Sequence, residues 1–543
     1  MSGEGLVPSP GVSYGSNGMV ASRSKRAAAA GLHVLQRGGN AFDAAIAVAG
    51  VEWLTLPAMC GLGGDMFAVL YDARSDRLAA INGSGEAARR ASRDYYVSQG
   101  LRTMPLDGWH AAAVPGAPHA YATLNREFGT LPLADLMAPA LAYAEGGIIV
   151  SEDMSRTIAG AAGKLGQFAD SAALYFPGGT APRPGDRWVL PDLARTIRAY
   201  ATGGPEAFYR GEIAAEIVRA STAGGGLFGL EEFAEQTTDV YEPLHTRYRG
   251  VDVYETAPPS QGLLVLEWLN IIAGDDLRSL GFGSADTLHL LVEAKKLAFA
   301  DRNRYCGDPR FIANPLDDLL SPQFAAQRRA AIRPDRANEA PPAGALPERG
   351  GDTSYFAVAD GRGNAISFIH SLSNLFGCGV VAGQTGVLLN NRAGRGFTLE
   401  EGHPNVIAGG KKTMHTLNCY LLCRDGRPFV VGGTPGGDYQ PQWNVQTITN
   451  LLDFGMNVRE AVAAPRWISV PGTDPETLDE PFSLIAEDRF DPDVLAELER
   501  RGHRVQRAGP WSSPGAVQLI VFGEDGTLQS SSDPRGGGAA LAY

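Results

Sequence analysis

Thr353 is the residue of this sequence best placed to act as a nucleophile. It stands between a stretch rich in proline and glycine, residues 333–352, and a β-type run that begins at Ser354. If the chain is cut before Thr353, the new α-amino group lies beside the threonine hydroxyl. This amine has a reference pKa of about 7.7–8.0, so it is partly neutral near physiological pH and can accept the hydroxyl proton. Spacing alone also fits a threonine that merely begins a strand.

The elements around Thr353 are predicted to be a linker followed by a β-hairpin. Residues 353–359 predict a strand, residues 360–363 a turn, and residues 364–371 the returning strand. The linker, at about residues 333–352, contains four prolines and few bulky apolar residues, which indicates an extended, cleavable segment.

The rest of the chain is predicted to be mainly helical before the linker and rich in strands after it. Residues 18–56 predict two helices broken at residues 37–40, and residues 285–302 predict an amphipathic helix. The glycines of residues 60–65 precede a strand rather than a helix, so they indicate a hairpin and not a nucleotide-binding loop. Further strands are expected at residues 386–389, 417–423, 429–431 and 517–522, and further helices at 442–454 and 493–501.

Composition limits the classes of function. With 543 residues, 44% hydrophobic and 20% charged, the chain is long enough for a large core and is not of a disordered type. Its net charge of −13 argues against nucleic acid as a partner, and no run approaches the ~20 apolar residues of a membrane helix. Five scattered cysteines suit a reducing compartment, and the nine histidines show no metal-binding spacing, so we expect neither a metal nor another cofactor.

Short segments along nearly the whole chain resemble the γ-glutamyltranspeptidase family of N-terminal-nucleophile hydrolases. These are GMVAS (18–22), GGNAFDAA (38–45), VPG (114–116), PPS (258–260), ADR (300–302), GDP (307–309), FG (376–377), VAG (381–383), LLNN (388–391), GTPGG (433–437) and DPR (533–535). So many matches in one order are far more specific than any single glycine motif.

This resemblance implies an α+β fold with four layers, αββα, formed jointly by two chains cut from one precursor. The cut would fall between Asp352 and Thr353, giving a large chain of residues 1–352 and a small chain of residues 353–543. The resemblance also implies that Thr353 cuts the chain itself and then attacks substrate amides. The acyl-enzyme passes its acyl group to water or to an amine.

Other site residues also follow from the resemblance. Gly436 and Gly437 match the family's oxyanion-hole pair, although such a sequence alone would be an ordinary turn. Ser371 matches a threonine that hydrogen-bonds the nucleophile, with a simple strand serine as the alternative. We also expect Ser373 to bind substrate.

The substrate end departs from the family pattern. Ser84 stands where the family has an arginine for the substrate α-carboxylate, and no acidic residue follows Asn391 to hold an α-ammonium. Arg392 and Arg395 appear there instead, and His415-Thr416 replace a serine pair. A pocket with added guanidinium groups should disfavour an ammonium and favour a carboxylate. Exposed loop charges are the alternative for the two arginines.

We therefore expect an amide hydrolase and acyltransferase for the monoamide of a dicarboxylic acid without an α-amino group. A glutaryl group, as in glutaryl-7-aminocephalosporanic acid, is one such acyl group, and oxamate is a short one. The alternatives are γ-glutamyl hydrolysis or transfer, as on glutathione, and a non-catalytic binding relative. The processed chains should form a heterodimer, with a dimer of heterodimers as a further option. A cytoplasmic location is expected, and a periplasmic one would need a leader.

Overall fold

A computed structural model of the chain describes residues 11–339, 353–471 and 481–543. Strands before residue 340 are β1 (Ser13–Gly15), β2 (Gly18–Ser22), β3 (Asp65–Asp72), β4 (Arg77–Gly83), β5 (Ile148–Ile149), β6 (Arg187–Trp188), β7 (Asp239–Tyr241), β8 (Leu244–Tyr248) and β9 (Val251–Glu255). Helices there are α1 (Lys25–Gln36), α2 (Ala41–Thr55), α3 (Arg93–Ser98), α4 (Ala117–Phe128), α5 (Leu133–Gly146), α6 (Glu152–Gly160), α7 (Ala162–Leu165), α8 (Ala169–Tyr175), α9 (Pro191–Tyr209), α10 (Glu212–Ala223), α11 (Leu230–Ala234), α12 (Gly262–Ile272), α13 (Leu277–Leu280), α14 (Ala285–Tyr305), α15 (Leu316–Leu319) and α16 (Pro322–Ala330).

From residue 353 onward the described chain contains more strands than helices. The strands are β10 (Ser354–Asp360), β11 (Ala365–Ser371), β12 (Tyr420–Arg424), β13 (Arg427–Gly433), β14 (Trp467–Val470), β15 (Ser483–Glu487), β16 (Arg504–Ala508), β17 (Gln518–Phe522), β18 (Leu528–Ser530) and β19 (Ala539–Ala542). The helices are α17 (Arg392–Gly396), α18 (Gln440–Leu452), α19 (Val458–Ala463) and α20 (Pro492–Arg500).

Two seven-stranded sheets form the centre of the molecule. One has the order β19-β2-β10-β11-β3-β4-β7 and the other the order β1-β18-β17-β13-β12-β9-β8. The strands of each sheet pair antiparallel with their neighbours. Alternate side chains of a strand point to opposite faces, so each sheet has two faces to bury.

Three hydrophobic clusters fill the spaces between four layers. Between the sheets, Phe67 and Tyr355 of the first sheet share a cluster with Leu421 and Ile520 of the second. A second cluster joins the outer face of the first sheet to helices that include α1, α2, α4 and α5. A third joins the outer face of the second sheet to helices that include α12, α14 and α18. The order of layers is therefore helix, sheet, sheet, helix, as the resemblance implied.

The predicted hairpin that begins at Thr353 is present and lies near the middle of its sheet. Ser354 pairs with His370 and Ala359 with Ala365, so β10 and β11 form a regular antiparallel pair. Every residue of both strands is buried, because β2 flanks one side of the hairpin and β3 the other. Because both strands are buried, the position of Thr353, the residue immediately before β10, is fixed.

Several other predicted elements are confirmed, and some are wrong. The helices α1 and α2 are separated at residues 37–40, and the side chain of Asn40 caps α2. No strand lies at residues 386–389, where Leu388 and Leu389 take part only in isolated bridges. Strands β7, β8 and β9 interrupt the region expected to be mainly helical. The predicted linker from residue 340 to residue 352 lies outside the described residues.

Among the described residues, no helix combines the length and apolar character needed to cross a membrane.

Candidate active site

Thr353 lies buried at the beginning of β10, with its hydroxyl in a set of polar contacts. The Thr353 hydroxyl donates to Ser371 Oγ at 3.2 Å. Ser371 Oγ also accepts the backbone N–H of Ser373 at 2.8 Å. Thr353 Oγ1 in turn accepts from Nε2 of Gln440 at 3.4 Å. The predicted pair Thr353 and Ser371 is therefore in direct contact, and Gln440 was not foreseen.

Ser373 has an unusual backbone conformation. Its φ is 85°, in a region that non-glycine residues rarely adopt. Its hydroxyl oxygen is buried and has no hydrogen-bond partner in the part of the chain that the structure describes. Such strain is commonly found at functional sites. The geometry leaves the Ser373 hydroxyl available to a bound molecule, which fits its predicted place among the substrate-binding residues.

Gly436 and Gly437 form the turn that leads into α18. Their φ values are 134° and 58°, so both need the conformational freedom of glycine. A Cβ on Gly436 would lie 2.6 Å from the ring of Trp443, so any larger side chain would clash there. The backbone angles and the nearby Trp443 ring thus require glycine in this turn. The role of the two glycines as an oxyanion hole stays a prediction.

Arg392 and Arg395 lie on α17 and are buried, with 1% and 6% of their surface exposed. Both guanidinium groups approach the hydroxyl of Thr416, Arg392 Nη1 at 3.4 Å and Arg395 Nη1 at 3.2 Å. The alternative that these arginines are exposed loop charges is therefore wrong. The predicted residues Arg392, Arg395 and Thr416 form one buried cluster.

Two buried aspartates in this cluster were missed by the sequence reasoning. Asp65 accepts from Arg392 Nε at 3.3 Å and from the backbone N–H of Gly85 at 2.9 Å. Asp438 accepts from Arg302 Nη1 at 2.7 Å and from Arg395 Nη2 at 3.2 Å. An aspartate directly after a glycine motif, as in Gly64-Asp65 and Gly437-Asp438, was the available signal.

Burial sets the protonation behaviour of the Asp65 and Arg392 pair. It raises the pKa of Asp65 to about 6, and the attraction of Arg392 only partly offsets this change. Burial also lowers the pKa of Arg392 to about 10, against the opposite influence of Asp65. Near neutral pH the pair is an ion pair, and Asp65 begins to take up a proton as the pH approaches 6.

His415 lies next to this cluster and is neutral. Its imidazole is fully buried, 4.9 Å from the Phe67 ring between centroids, and burial together with Arg392 and Lys412 lowers its pKa well below 6.5. Neither ring nitrogen has a hydrogen-bond partner within the described ranges. His415 therefore lies beside the arginine cluster, and its role as a polar pocket group stays a prediction.

Two groups of side chains within the described ranges could geometrically hold a metal ion. They are Glu52 with Cys60 and His370, and His289 with Glu293 and His503. In the first, Glu52 already accepts from Ser22, Ser354 and His370. In the second, the two imidazoles hydrogen-bond each other at 2.8 Å and Glu293 pairs with Lys296 at 2.7 Å. The side chains of both groups are thus already engaged with protein partners.

A four-layer fold with a buried threonine at the start of a central strand defines the class of N-terminal-nucleophile hydrolases. The chain belongs to the γ-glutamyltranspeptidase family, since the family model described as Gamma-glutamyltranspeptidase matches residues 27–543. This finding confirms the family that the sequence motifs indicated.

Individual relatives cover nearly the whole chain. The Glutathione hydrolase-like YwrD proenzyme of Bacillus subtilis is 38% identical over 97% of this chain and 98% of its own. The oxamate amidohydrolase proenzyme of Klebsiella pneumoniae is 34% identical over 97% of this chain and 98% of its own. The crystal structure of a cephalosporin acylase from Bacillus halodurans covers 100% of this chain and 99% of its own, with a TM-score of 0.91 and 35% identity.

Proposed function

We propose that the chain is a self-processing amide hydrolase and acyltransferase that uses Thr353 as its nucleophile and prefers an acyl group with a free carboxylate. The observation that carries the preference is the charge of the buried cluster. Among the described residues, Arg302, Arg392 and Arg395 form ion pairs with two carboxylates, Asp65 and Asp438. A buried cluster with more guanidinium than carboxylate groups is completed by an anion.

Maturation would begin with attack by Thr353 Oγ1 on the carbonyl carbon of residue 352. The C–N bond to Thr353 breaks as the acyl group moves to oxygen. The nitrogen keeps its own hydrogen and takes up the proton that the Thr353 hydroxyl loses, so it becomes the free amine. Water then hydrolyses the ester and releases a carboxylate on residue 352. Ser371 supports this step, since its Oγ accepts the Thr353 hydroxyl and keeps Oγ1 oriented.

Turnover would use the freed amine of Thr353 as general base. The amine takes the hydroxyl proton while Oγ1 attacks the substrate carbonyl, and the carbonyl oxygen gains a negative charge. The N–H groups of Gly436 and Gly437 would stabilise this oxyanion. The proton then passes to the leaving amine, and an ester with Thr353 remains. Water or an acceptor amine attacks that ester and regenerates the hydroxyl.

The acyl carboxylate would be held by Arg392 together with Arg395 and Thr416. Nη2 of Arg392 is buried and has no hydrogen-bond partner in the part of the chain that the structure describes. A buried guanidinium N–H without an acceptor is costly, so a carboxylate supplied by the substrate is stabilised there. The neutral His415 beside it adds polarity without a competing charge.

A second candidate, γ-glutamyl hydrolysis, is favoured by the two aspartates. Asp65 and Asp438 place carboxylates in the cluster that the sequence reasoning took to have none. Either could face a substrate ammonium. Because both already pair with arginines, we place this activity second, although the similar YwrD proenzyme is named for glutathione hydrolysis.

The test compares the wild type with Thr353→Ala by intact mass and then measures turnover. We expect the wild type to give two fragments that meet at residues 352 and 353 and the variant to stay whole. The mature wild type should then hydrolyse a glutaryl anilide at least about tenfold faster than the γ-glutamyl anilide, which corresponds to about 1.4 kcal/mol. An uncut wild type would refute the nucleophile, and faster γ-glutamyl turnover would refute the acyl preference.

A further inference from the structure

Gln440 contacts the oxygen atom that would attack the substrate. It is the first residue of α18, three positions after Gly437, and its side chain is fully buried. Its Nε2 donates to Thr353 Oγ1 at 3.4 Å. A buried glutamine amide lowers stability unless it forms hydrogen bonds. The polar contacts of Gln440 therefore offset the cost of its burial.

The orientation of the Gln440 amide is fixed by its other contacts. Its Oε1 accepts the backbone N–H of Asn418 at 3.2 Å and the side-chain Nδ2 of Asn418 at 3.2 Å. A backbone N–H can only donate, so the carbonyl oxygen of the amide must face Asn418. The NH2 group is thereby directed at Thr353.

Asn418 is itself held in place from both ends. Its Oδ1 accepts from Nδ2 of Asn444 at 2.7 Å, and its Nδ2 also donates to the backbone carbonyl of Thr416 at 3.2 Å. A chain of fixed amides thus runs from Asn444 on α18 through Asn418 to Gln440. The amides of Asn418 and Gln440 cannot turn over without losing several hydrogen bonds.

We propose that Gln440 is a further catalytic residue, which donates an N–H to Thr353 Oγ1 during attack. This inference rests on the proposed function of Thr353. The hydroxyl accepts from Gln440 and donates to Ser371, so the lone pair left on Oγ1 has a defined direction. As the proton leaves for the amine, the Gln440 N–H stabilises the negative charge that develops on Oγ1.

The variant Gln440→Glu tests this role with little change of shape. It replaces the donor with an oxygen, so Oγ1 loses a hydrogen bond and gains a negative neighbour. We expect kcat to fall at least about tenfold. The added charge should also raise the pKa of the nearby Thr353 amine and move the acid limb of the kcat/KM profile up by about one pH unit.

Gln442→Glu is the matched control. Gln442 lies on the same helix and is equally buried, but it bonds the backbone of Asp438 and of Ser469 instead of Thr353. The Gln442→Glu variant should lose thermal stability, but the pH profile of its kcat/KM should not shift. If both variants give the same kcat and the same pH profile, the proposal is overturned.

A second variant covers the case in which Gln440→Glu does not fold. Gln440→Met keeps the length of the side chain and removes the donor, so it should also lower kcat at least about tenfold, with no shift of the pH profile. If both variants at position 440 unfold while Gln442→Glu stays folded, Gln440 is only structural and the proposal fails.

Failure of the proposed function gives a different result. A wild type that stays uncut refutes the use of Thr353 before any variant is compared. A wild type that cuts itself but hydrolyses neither anilide refutes the acyl preference only. In that case an aryl sulfonyl fluoride still probes the reactivity of the Thr353 oxygen. The first-order rate of adduct formation, followed by intact mass, compares this reactivity between the variants at positions 440 and 442.

Discussion

Asp65 is the buried partner of Arg392, which we propose binds the substrate carboxylate. Its carboxylate is fully buried and accepts from Arg392 Nε, and its backbone lies opposite Ser371 in the pairing of β3 with β11. If Arg392 binds a substrate carboxylate, as proposed, an ionised Asp65 competes with that carboxylate for the guanidinium group. A protonated Asp65 would leave the full charge of Arg392 to the substrate.

Replacing Asp65 with asparagine should change both binding and the pH dependence of stability. In the folded protein burial raises the pKa of Asp65 to about 6, above the ordinary 3.8 of an aspartate. Its contribution to stability is therefore fully present below about pH 4 and is lost as the pH rises through 6, a change of about 3 kcal/mol. Relative to wild type, Asp65→Asn should gain stability over that range. Its KM for a glutaryl anilide near pH 7 should fall several-fold.

Asp308→Asn is the control, because it should show the opposite sign. Burial acts to raise the pKa of Asp308, but hydrogen bonds from Arg310 and from the backbone lower it overall. Its contribution is present above the ordinary pKa of an aspartate and is lost as the pH falls. Urea unfolding of the three proteins at several pH values measures both effects. If the free energy of unfolding depends on pH in the same way for the wild type and for Asp65→Asn, the raised pKa of Asp65 is contradicted.

Residues of the site differ in how far the sequence could predict them. Thr353 was singled out by its place between a linker and a strand, and Ser371 and the glycine pair by the resemblance to a family. Arg302 and Gln440 were not found as site residues, because their roles depend on contacts across more than 80 positions. A single sequence gives spacing along the chain, and such contacts appear only after folding.

At the scale of elements, helix α2 fixes the hairpin that follows Thr353, the proposed nucleophile. Glu52 of α2 is fully buried and accepts from Ser354 Oγ at 2.6 Å and from His370 Nε2 at 2.8 Å. Ser354 directly follows Thr353, and His370 directly precedes Ser371. Successive strand residues face opposite sides. Glu52 therefore holds Ser354 and His370 from one side of the sheet, while Thr353 and Ser371 face the proposed active site on the other.

The change Glu52→Gln should loosen this attachment. An amide NH2 cannot accept the hydrogen bonds that the carboxylate accepts, so at least one of the donors is left buried without a partner. We expect a loss of about 3 kcal/mol in the free energy of unfolding and slower self-cleavage. Thermal unfolding and the time course of chain cutting measure the two effects.

Glu267→Gln on α12 provides the comparison. Glu267 is also fully buried, but burial and the nearby Asp301 raise its pKa well above 4.5, which favours the neutral carboxyl group. Its replacement by a neutral amide of the same shape should cost little. Equal losses in the two variants would show that Glu52 has no special place in the hairpin.

The elements that sequence predicted best are those with a local signal. The turn at residues 360–363 lies between two alternating runs, and the hairpin followed as expected. Residues 386–389 are apolar enough for a strand, but tertiary contacts place them beside Gly63 and Val381 in single bridges only. Strands β8 and β9 were missed because helices surround them on both sides in sequence.

At the scale of the whole molecule, each sheet combines strands from both sides of residue 353. In the first sheet β2 lies between β19 and β10, and in the second β9 pairs with β12. The cluster between the sheets likewise contains side chains from both parts, such as Phe67 and Tyr355. A cut at residue 353 would leave all of these contacts in place.

We therefore expect the two processed chains to stay together until the fold is lost. They should elute as one species in size-exclusion chromatography, even at 1 M salt, because the contact is a hydrophobic core and a set of backbone ladders rather than a charged surface. They should separate only at denaturant concentrations that also abolish the circular dichroism signal of the folded protein. Separation at a lower concentration would contradict this picture.

The interleaving of strands also restricts how proteins of this architecture can diversify. Recombination between homologous genes conserves function most readily when the crossover falls between modules that fold separately. A crossover at residue 353 would instead divide each hydrophobic cluster and each of the two large sheets between two parents. This holds although residue 353 is the point at which the chain is predicted to be cut. New acyl preferences in such a protein would then arise by point substitution around Arg392 and Asp65, not by exchange of a domain.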